Sequence, residues 1–324
     1  MAARRVEEQL DRLALLRDAD PAEAIPALRK ALGDRVNLVP AKAAKIAAER
    51  EFRELIPDLL RAFDRLFEHA VERDPQCWGK TALATALKDL GHDESAPFLR
   101  GMRHVQMEAV WGGQADTAEN LRGACLLALP ACADLERDEA LRCFVDALAE
   151  KSRTIRLEAV RALRQMKGFE AALVLRLKAR LGDKEPEVTG QVFDALLQLE
   201  GERVLPLLAE FLQNHDGAVR EESALALGSS RLPAAYERLR EAYAAARDPQ
   251  FREVLLRAIG MTREESAIAW LLELVRTARK REAIDAINAL ALLRSSEEVR
   301  RATESAVQGR EPELETEYRK LFED

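Results

Sequence analysis

One property of this 324-residue chain constrains its fold more than any other: a segment recurs along it at intervals of about 32 residues. The stretches RTIRLEAVRALRQM (153–166), PEVTGQVFDALLQL (186–199), GAVREESALALGSS (217–230) and PQFREVLLRAIGMT (249–262) superimpose. Each begins with an apolar residue, Ile155, Val188, Val219 or Phe251, and carries a second one eight positions later, Leu163, Leu196, Leu227 or Ile259. The steps between those second residues are 33, 31 and 32. LRGACLLALPAC continues the series upstream, with Leu129 a similar step before Leu163, and REAIDAINALALL continues it downstream, with Ile287 a slightly shorter step after Ile259. WGKTALATALKDL (78–90) and NLVPAKAAKIAAE (37–49) are fainter copies. A unit this short cannot bury an apolar face alone, so copies must stack into one continuous core.

Each copy follows another amphipathic stretch, among them EAIPALRKALG (23–33), FRELIPDLLRAF (52–63), SAPFLRGM (95–102) and ERVLPLLAEFL (202–212). These four share a proline in matching phase, Pro26, Pro57, Pro97 and Pro206, which marks a recurring helix start or bend. Asp74-Pro75 and Asp248-Pro249 read as an N-cap aspartate followed by proline at the first helical position. The unit is therefore helix, tight turn with a capping acid, helix. Composition agrees: with 15 Gly, 12 Pro and 5% aromatic residues there is little material for β-turns and strand cores. With 48% hydrophobic and 33% charged residues the chain is neither disordered nor a membrane protein, and no stretch approaches the ~18 apolar residues of a span.

These units resemble HEAT repeats, in particular the short bacterial form often called HEAT-like or phycobilisome-lyase type. The residues that carry the resemblance are an aspartate in the inter-helix turn, then Val-Arg or its equivalent, then an Ala/Leu-rich second helix. Asp216…Val219-Arg220 and Asp248…Phe251-Arg252 show it, Asp116…Leu121-Arg122 shows it with a longer turn, and Ile155-Arg156 lacks the aspartate. At Val188-Thr189 the arginine is missing, so an Asp–Arg ladder would be interrupted there. The resemblance implies an all-α fold, a right-handed α-solenoid (superhelix) of about eight or nine stacked helix pairs, with first helices convex and second helices concave. The expected layout is one solenoid over 1–324: an N-terminal capping helix within 1–19, repeats over 20–310 with an irregular insertion near 100–120, and a C-terminal capping helix at 311–324.

The insertion is where the period breaks, stretching to about 43 residues. RGMRHVQMEAVWGGQADTAEN (100–120) gathers uncommon residue types there: Arg103, His104, Met107, Glu108, Trp111 and the pair Gly112-Gly113. A four-residue spacing makes His104 and Glu108 neighbours on one face if the preceding helix extends this far, with Gly112-Gly113 ending it. Two readings stand. Either a binding loop projects from the array, with Trp111 as anchor and Arg103, His104 and Glu108 as polar partners, or Met107 and Trp111 fill a wider gap between repeats.

A second feature is a basic island. Residues 151–182 carry nine Lys or Arg against two Glu, a net +7 inside a chain of net −7. Arg161 and Arg164 fall on the exposed side of the helix whose inward positions are Ile155, Ala159, Leu163 and Met166. Such an island would attract an acidic segment or phosphate groups, or else be a solvated face balanced by acids on adjoining repeats.

The four cysteines form no CxxC pair, so neither a disulfide framework nor a zinc site is expected, and Cys125 and Cys132 read as small core residues. His69, His92 and His215 are isolated, and Trp270 sits in a long apolar stretch. GxSxG, HExxH, P-loop and Gly-rich dinucleotide motifs are absent. The N-terminus lacks a signal-peptide pattern, which points to the cytoplasm. The leading expectation is a non-catalytic scaffold with no cofactor and no metal, binding another protein through its concave face and the 100–118 insertion. The alternative is a DNA-binding or HEAT-like base-repair protein using residues 151–182, and the repeat type adds a bilin-lyase role. The net charge disfavours general nucleic-acid binding.

Overall fold

The structure, a computed structural model, describes residues 2–323 and divides into two compact units, Met1–Lys167 and Gly168–Asp324. Met1 and Asp324, the ends of the expected capping helices, lie outside the described residues. In the first unit the helix Ala2–Leu15 precedes the pairs Pro21–Leu32 with Leu38–Glu49, Ile56–Arg65 with Trp78–Asp89, Ala96–Met102 with Glu119–Ala128, and Arg137–Leu148 with Arg153–Met166. In the second the pairs are Phe169–Leu181 with Pro186–Glu200, Leu205–Phe211 with Gly217–Ser229, Pro233–Ala245 with Pro249–Thr262, and Glu265–Thr277 with Lys280–Ala291. A last pair, Glu297–Val307 with Pro312–Phe322, closes that unit. Despite its polar sequence Pro312–Phe322 is packed, burying Leu314, Tyr318 and Phe322.

The eight-residue apolar spacing works as the helical period requires. In Arg153–Met166, Ile155, Ala159 and Leu163 are buried, Arg161 and Gln165 are exposed, and Met166 is half-buried. In Pro186–Glu200, Val188, Val192, Phe193 and Leu196 are fully enclosed, each worth ~1.5–3 kcal/mol against exposure. Neighbouring second helices touch backbone to backbone: a Cβ on Gly228 would lie 2.4 Å from the Ala258 carbonyl oxygen. Pro57, Pro97 and Pro206 occupy first turns, whereas Pro26 lies inside its helix. The first helix of the second unit leaves Phe169, Leu173, Leu177 and Leu181, spaced four apart, exposed.

The arginine of the repeat signature has a definite task. The last carbonyls of a helix have no partner within it. Arg156 Nη1 donates to the carbonyls of Glu150 (2.9 Å) and Lys151 (2.8 Å), Arg220 Nη1 to Asn214 (3.1 Å), and Arg252 Nη1 to Tyr243 (3.1 Å) and Ala246 (3.3 Å). Each thereby reaches the carbonyl six residues before it. The same guanidinium then meets an acid of the following repeat: Arg220 with Asp248 at 3.6 Å, and Arg252 with Glu282 at 2.5 Å.

The capping expectation holds at Asp248, whose carboxylate accepts the Gln250 N–H (3.0 Å) with Pro249 in the first turn. It is corrected at Asp74-Pro75. There Pro75–Cys77 forms a separate 3-10 turn, with Gln76 (φ 62°) and Cys77 (φ 52°) both left-handed, and the helix starts only at Trp78.

Candidate functional site

The insertion is not a helical extension. The helix Ala96–Met102 stops, and after a short irregular link the chain forms a two-stranded antiparallel hairpin, β1 (Met107–Val110) with β2 (Gly113–Asp116), joined by Trp111-Gly112. The register pairs Met107 with Asp116, Glu108 with Ala115, Ala109 with Gln114 and Val110 with Gly113. Gly112 has φ +93°, which a tight two-residue connection requires and glycine supplies without a Cβ penalty. His104 and Glu108 are therefore not neighbours on a helix face. The period is two, not 3.6, because Gln106 and Glu108 turn inward while Val105 and Met107 turn outward.

This alternation is inverted. The inward residues are polar and the outward ones apolar, the opposite of a strand laid on a hydrophobic core. Val105 is 60% exposed, Met107 48%, Val110 41%, and Trp111 at the tip is fully exposed. Met107 and Trp111 thus do not fill a gap between repeats.

What the inward side meets is a buried polar cluster. Asp74 and Lys80 are both wholly enclosed, with Lys80 Nζ 3.2 Å from Asp74 Oδ2. That ammonium also donates to the Leu66 carbonyl (3.2 Å) and to Gln106 Oε1 (3.0 Å), so its three N–H groups are used. The Asp74 carboxylate accepts the backbone N–H groups of Gly79 (2.7 Å) and Lys80 (2.9 Å), capping the helix from five and six residues away, and accepts a bond from Asn37 Nδ2 (2.9 Å). Gly79 makes this approach possible, since a Cβ there would lie 2.9 Å from Asp74 Oδ1.

Gln106 joins the hairpin to that pair. Its Nε2 donates to the Asp74 carbonyl (2.9 Å) and to Glu108 Oε1 (2.6 Å). Because an ammonium only donates, the amide oxygen must face Lys80, and His104 Nε2, 3.1 Å from that oxygen, must then carry its proton. Glu108 Oε1 also accepts the Thr117 hydroxyl (2.6 Å) and the N–H of left-handed Gln76 (2.7 Å). At the hairpin's far end Asp116 accepts the N–H groups of Gln106 and Ala118 (both 3.0 Å) and pairs with Arg122, which also donates to the His104 carbonyl (3.1 Å).

Electrostatics follow from these contacts. Burial works against a charge on Glu108, but hydrogen bonds from Thr117, Gln106 and Gln76 outweigh it and hold the carboxyl below its ordinary range. Asp116 is held low in the same way, against its burial, chiefly by Arg122. Burial, aided by the charges of Lys80 and Arg100, lowers His104 despite its bond to Gln106. Burial raises the enclosed Cys77 thiol to about 11, so it is a poor nucleophile. With Lys80, Asp74 and Cys77 sealed, the cluster braces the hairpin.

Of the residues singled out by sequence, His104 and Glu108 meet through Gln106, Trp111 crowns the hairpin, and Arg103 is exposed just before it. Arg161 and Arg164 belong to a different element, Arg153–Met166, where Arg161 pairs with Glu158 at 2.8 Å. The basic island falls across both units, and acids meet many of its charges. Arg156 is buried against carbonyls in the first unit. In the second, Arg176 grips Glu200 (2.5 Å), Lys178 pairs with Asp183 (2.7 Å) and Arg180 with Glu210 (2.6 Å). Asp74 was expected as a capping acid and Asp116 with Arg122 as a copy of the repeat signature, whereas Lys80 and Gln106 were not anticipated. A lysine in an otherwise Ala/Leu-rich helix was the available signal for Lys80.

Among the described residues no group of three or more His, Cys, Asp or Glu is arranged to hold a metal, and no helix is long and apolar enough to cross a membrane. Residues 174–260 match the sequence model of the family described as HEAT repeats. No curated protein matches the chain. Among solved structures, human deoxyhypusine hydroxylase is similar at 24% identity over 77% of this chain and 88% of that one, with a TM-score of 0.32. The CpcE–CpcF complex of phycocyanin lyase from Nostoc sp. PCC7120 is similar at 19% identity over 73% and 90%, with a TM-score of 0.36. Kap121p is similar at 12% identity over 98% of this chain, which spans 40% of that protein, with a TM-score of 0.52, a likeness of fold. The fold is an all-α solenoid of helix pairs, and its segment 174–260 matches HEAT repeats.

Proposed function

We propose that the chain is a non-catalytic interaction scaffold of the cytoplasm that binds a partner protein through the hairpin Met107–Asp116. The observation that carries this reading is the inverted alternation of the hairpin: Val105 and Met107 face solvent, in alternation with Gln106 and Glu108, which anchor them from beneath, and the strand end Val110 and the tip Trp111 are exposed as well. A large aromatic held at the tip of a braced element loses little freedom on docking, and such residues dominate binding energy at interfaces. The expected partner surface has an apolar pocket for Trp111, with Arg103 at the polar rim and His104 and Glu108 acting from behind as supports. The fold supports a scaffold role by analogy with other repeat arrays, and the sealed polar cluster weighs against catalysis.

The test is affinity capture from native lysate with wild-type bait beside Trp111→Ala/Met107→Ser and Arg161→Glu/Arg164→Glu. The proposal expects a protein that the first variant loses and the second keeps, with the Tm of the first variant close to wild type. Retention by the first variant would overturn it. Capture of duplex DNA, lost with the arginine variant and falling steeply with salt, would establish the nucleic-acid reading instead. The ion pairs of Arg161, Arg176, Lys178 and Arg180 weigh against that reading.

A further inference from the structure

The hairpin has two edges, and they are unlike. A two-residue connection is closed by a hydrogen-bonded pair, here Val110 with Gly113, and bonded pairs then recur at every second position of the ladder. The Thr117 N–H, donating to the Gln106 carbonyl at 2.9 Å, keeps that phase one step below Met107 and Asp116. Gln106, Glu108 and Val110 therefore turn their backbone groups to β2, while Val105, Met107 and Ala109 turn theirs to the open side. Among the described residues no hydrogen bond from outside the ladder reaches the backbone of those three. All three are exposed, and their side chains, uncharged and apolar, share the outer face. This edge carries no proline, lysine or outward charge to keep another strand away. The β2 edge is guarded, because its outward positions are Gln114 and Asp116.

We propose that two copies of the chain pair through this edge, β1 against β1, antiparallel about a two-fold axis at Met107. The proposal rests on the hairpin reading above and names its partner as a second copy. One register engages every open position of both strands: Met107 faces Met107, and Val105 faces Ala109, each pair exchanging both N–H···O bonds. All facing residues on the outer side are then apolar, so the edge is complementary to itself. The same register brings Trp111 of each copy, wholly exposed in the single chain, over Val105 and toward the exposed Arg103 of the other. That seat is apolar with a cationic rim, and a guanidinium is attracted to an indole face. The joined sheet leaves only the guarded β2 edges open, so assembly closes at two copies. The contact is small, so the dimer forms and parts with concentration.

The experiment is sedimentation velocity on the full chain from about 1 μM to about 500 μM, the range in which small contacts form. The expected result is monomer at the low end and dimer at the high end, with amide exchange at Met107 and Ala109 slowed in the dimer. Met107→Lys sets two like charges face to face and should weaken the dimer more than about tenfold. Met107→Glu should do the same, and mixing the two variants should restore pairing, because the axis places position 107 opposite itself. Gln114→Lys, on the guarded edge, should leave the dimer unchanged. A monomer at every concentration, a dimer undiminished by Met107→Lys, or a mixture of the two charged variants that stays monomeric would overturn the proposal. A chain that stays monomeric, while wild-type bait but not Trp111→Ala/Met107→Ser captures another protein, overturns it and leaves the hairpin reading standing.

Discussion

Lys80 has lost all its water and regained three oxygens, those of Leu66, Asp74 and Gln106. Replacing one member of such a pair leaves the other charge buried and alone, which costs far more than the pair contributes. Lys80→Met should therefore destabilise the first unit by about 3–5 kcal/mol in denaturant melts, whereas Lys88→Met, on the exposed side of the same helix, should cost under about 0.5 kcal/mol. Glu108 gives a pH signature. Its folded pKa lies below the unfolded one, so its stabilising effect is present above the ordinary carboxylate range and is lost as pH falls through the folded value. Glu108→Gln should lower stability by about 1–3 kcal/mol at neutral pH, and its deficit against wild type should shrink in acid. Of this cluster the sequence singled out His104, Glu108 and, as a capping acid, Asp74, but not their joining. The partners, such as Lys80 with Gln106 and Asp74 with Gln106, are distant along the chain, and only the fold of the repeat joins them.

At the scale of elements, the helix pairs were readable because burial imposes a period of 3.6 on every copy. The hairpin was not, because its alternation places polar residues inward and so imitates no core-facing strand. A spacing of four between His104 and Glu108 matched a helix by coincidence with the true period of two. Paired second helices also carry an electrostatic cost. Burial pushes Glu222 upward, and the charges of Asp194, Glu187 and Glu221 push it the same way. With the folded pKa raised, the native state holds a proton that the unfolded chain has released. The cost of the bare carboxylate grows as pH rises through that window and is present in full at neutral pH. Glu222→Gln should raise the Tm at pH 7, and the gain should vanish as pH is lowered below the ordinary glutamate range.

For the whole molecule, the recurrence of one apolar pattern along the chain was enough to give the array and its helix pairs. It did not show the division into two compact units at Lys167–Gly168. All four cysteines fall in the first unit, all buried and unpaired. Burial raises every one of their pKa values, Cys132 to about 11. Reaction with an aromatic disulfide at neutral pH should therefore wait for opening of Met1–Lys167, and its rate should rise as denaturant opens that unit. The enclosed Asp74–Lys80 pair carries a further consequence for how the protein is made. Its cover, Gln106 and Glu108, is translated well after Lys80, roughly one to five seconds later on the ribosome. Until the hairpin emerges the two charges remain wet and the Gln76-Cys77 turn is unheld, so a nascent chain halted before Gln106 can form its early helices but not close them.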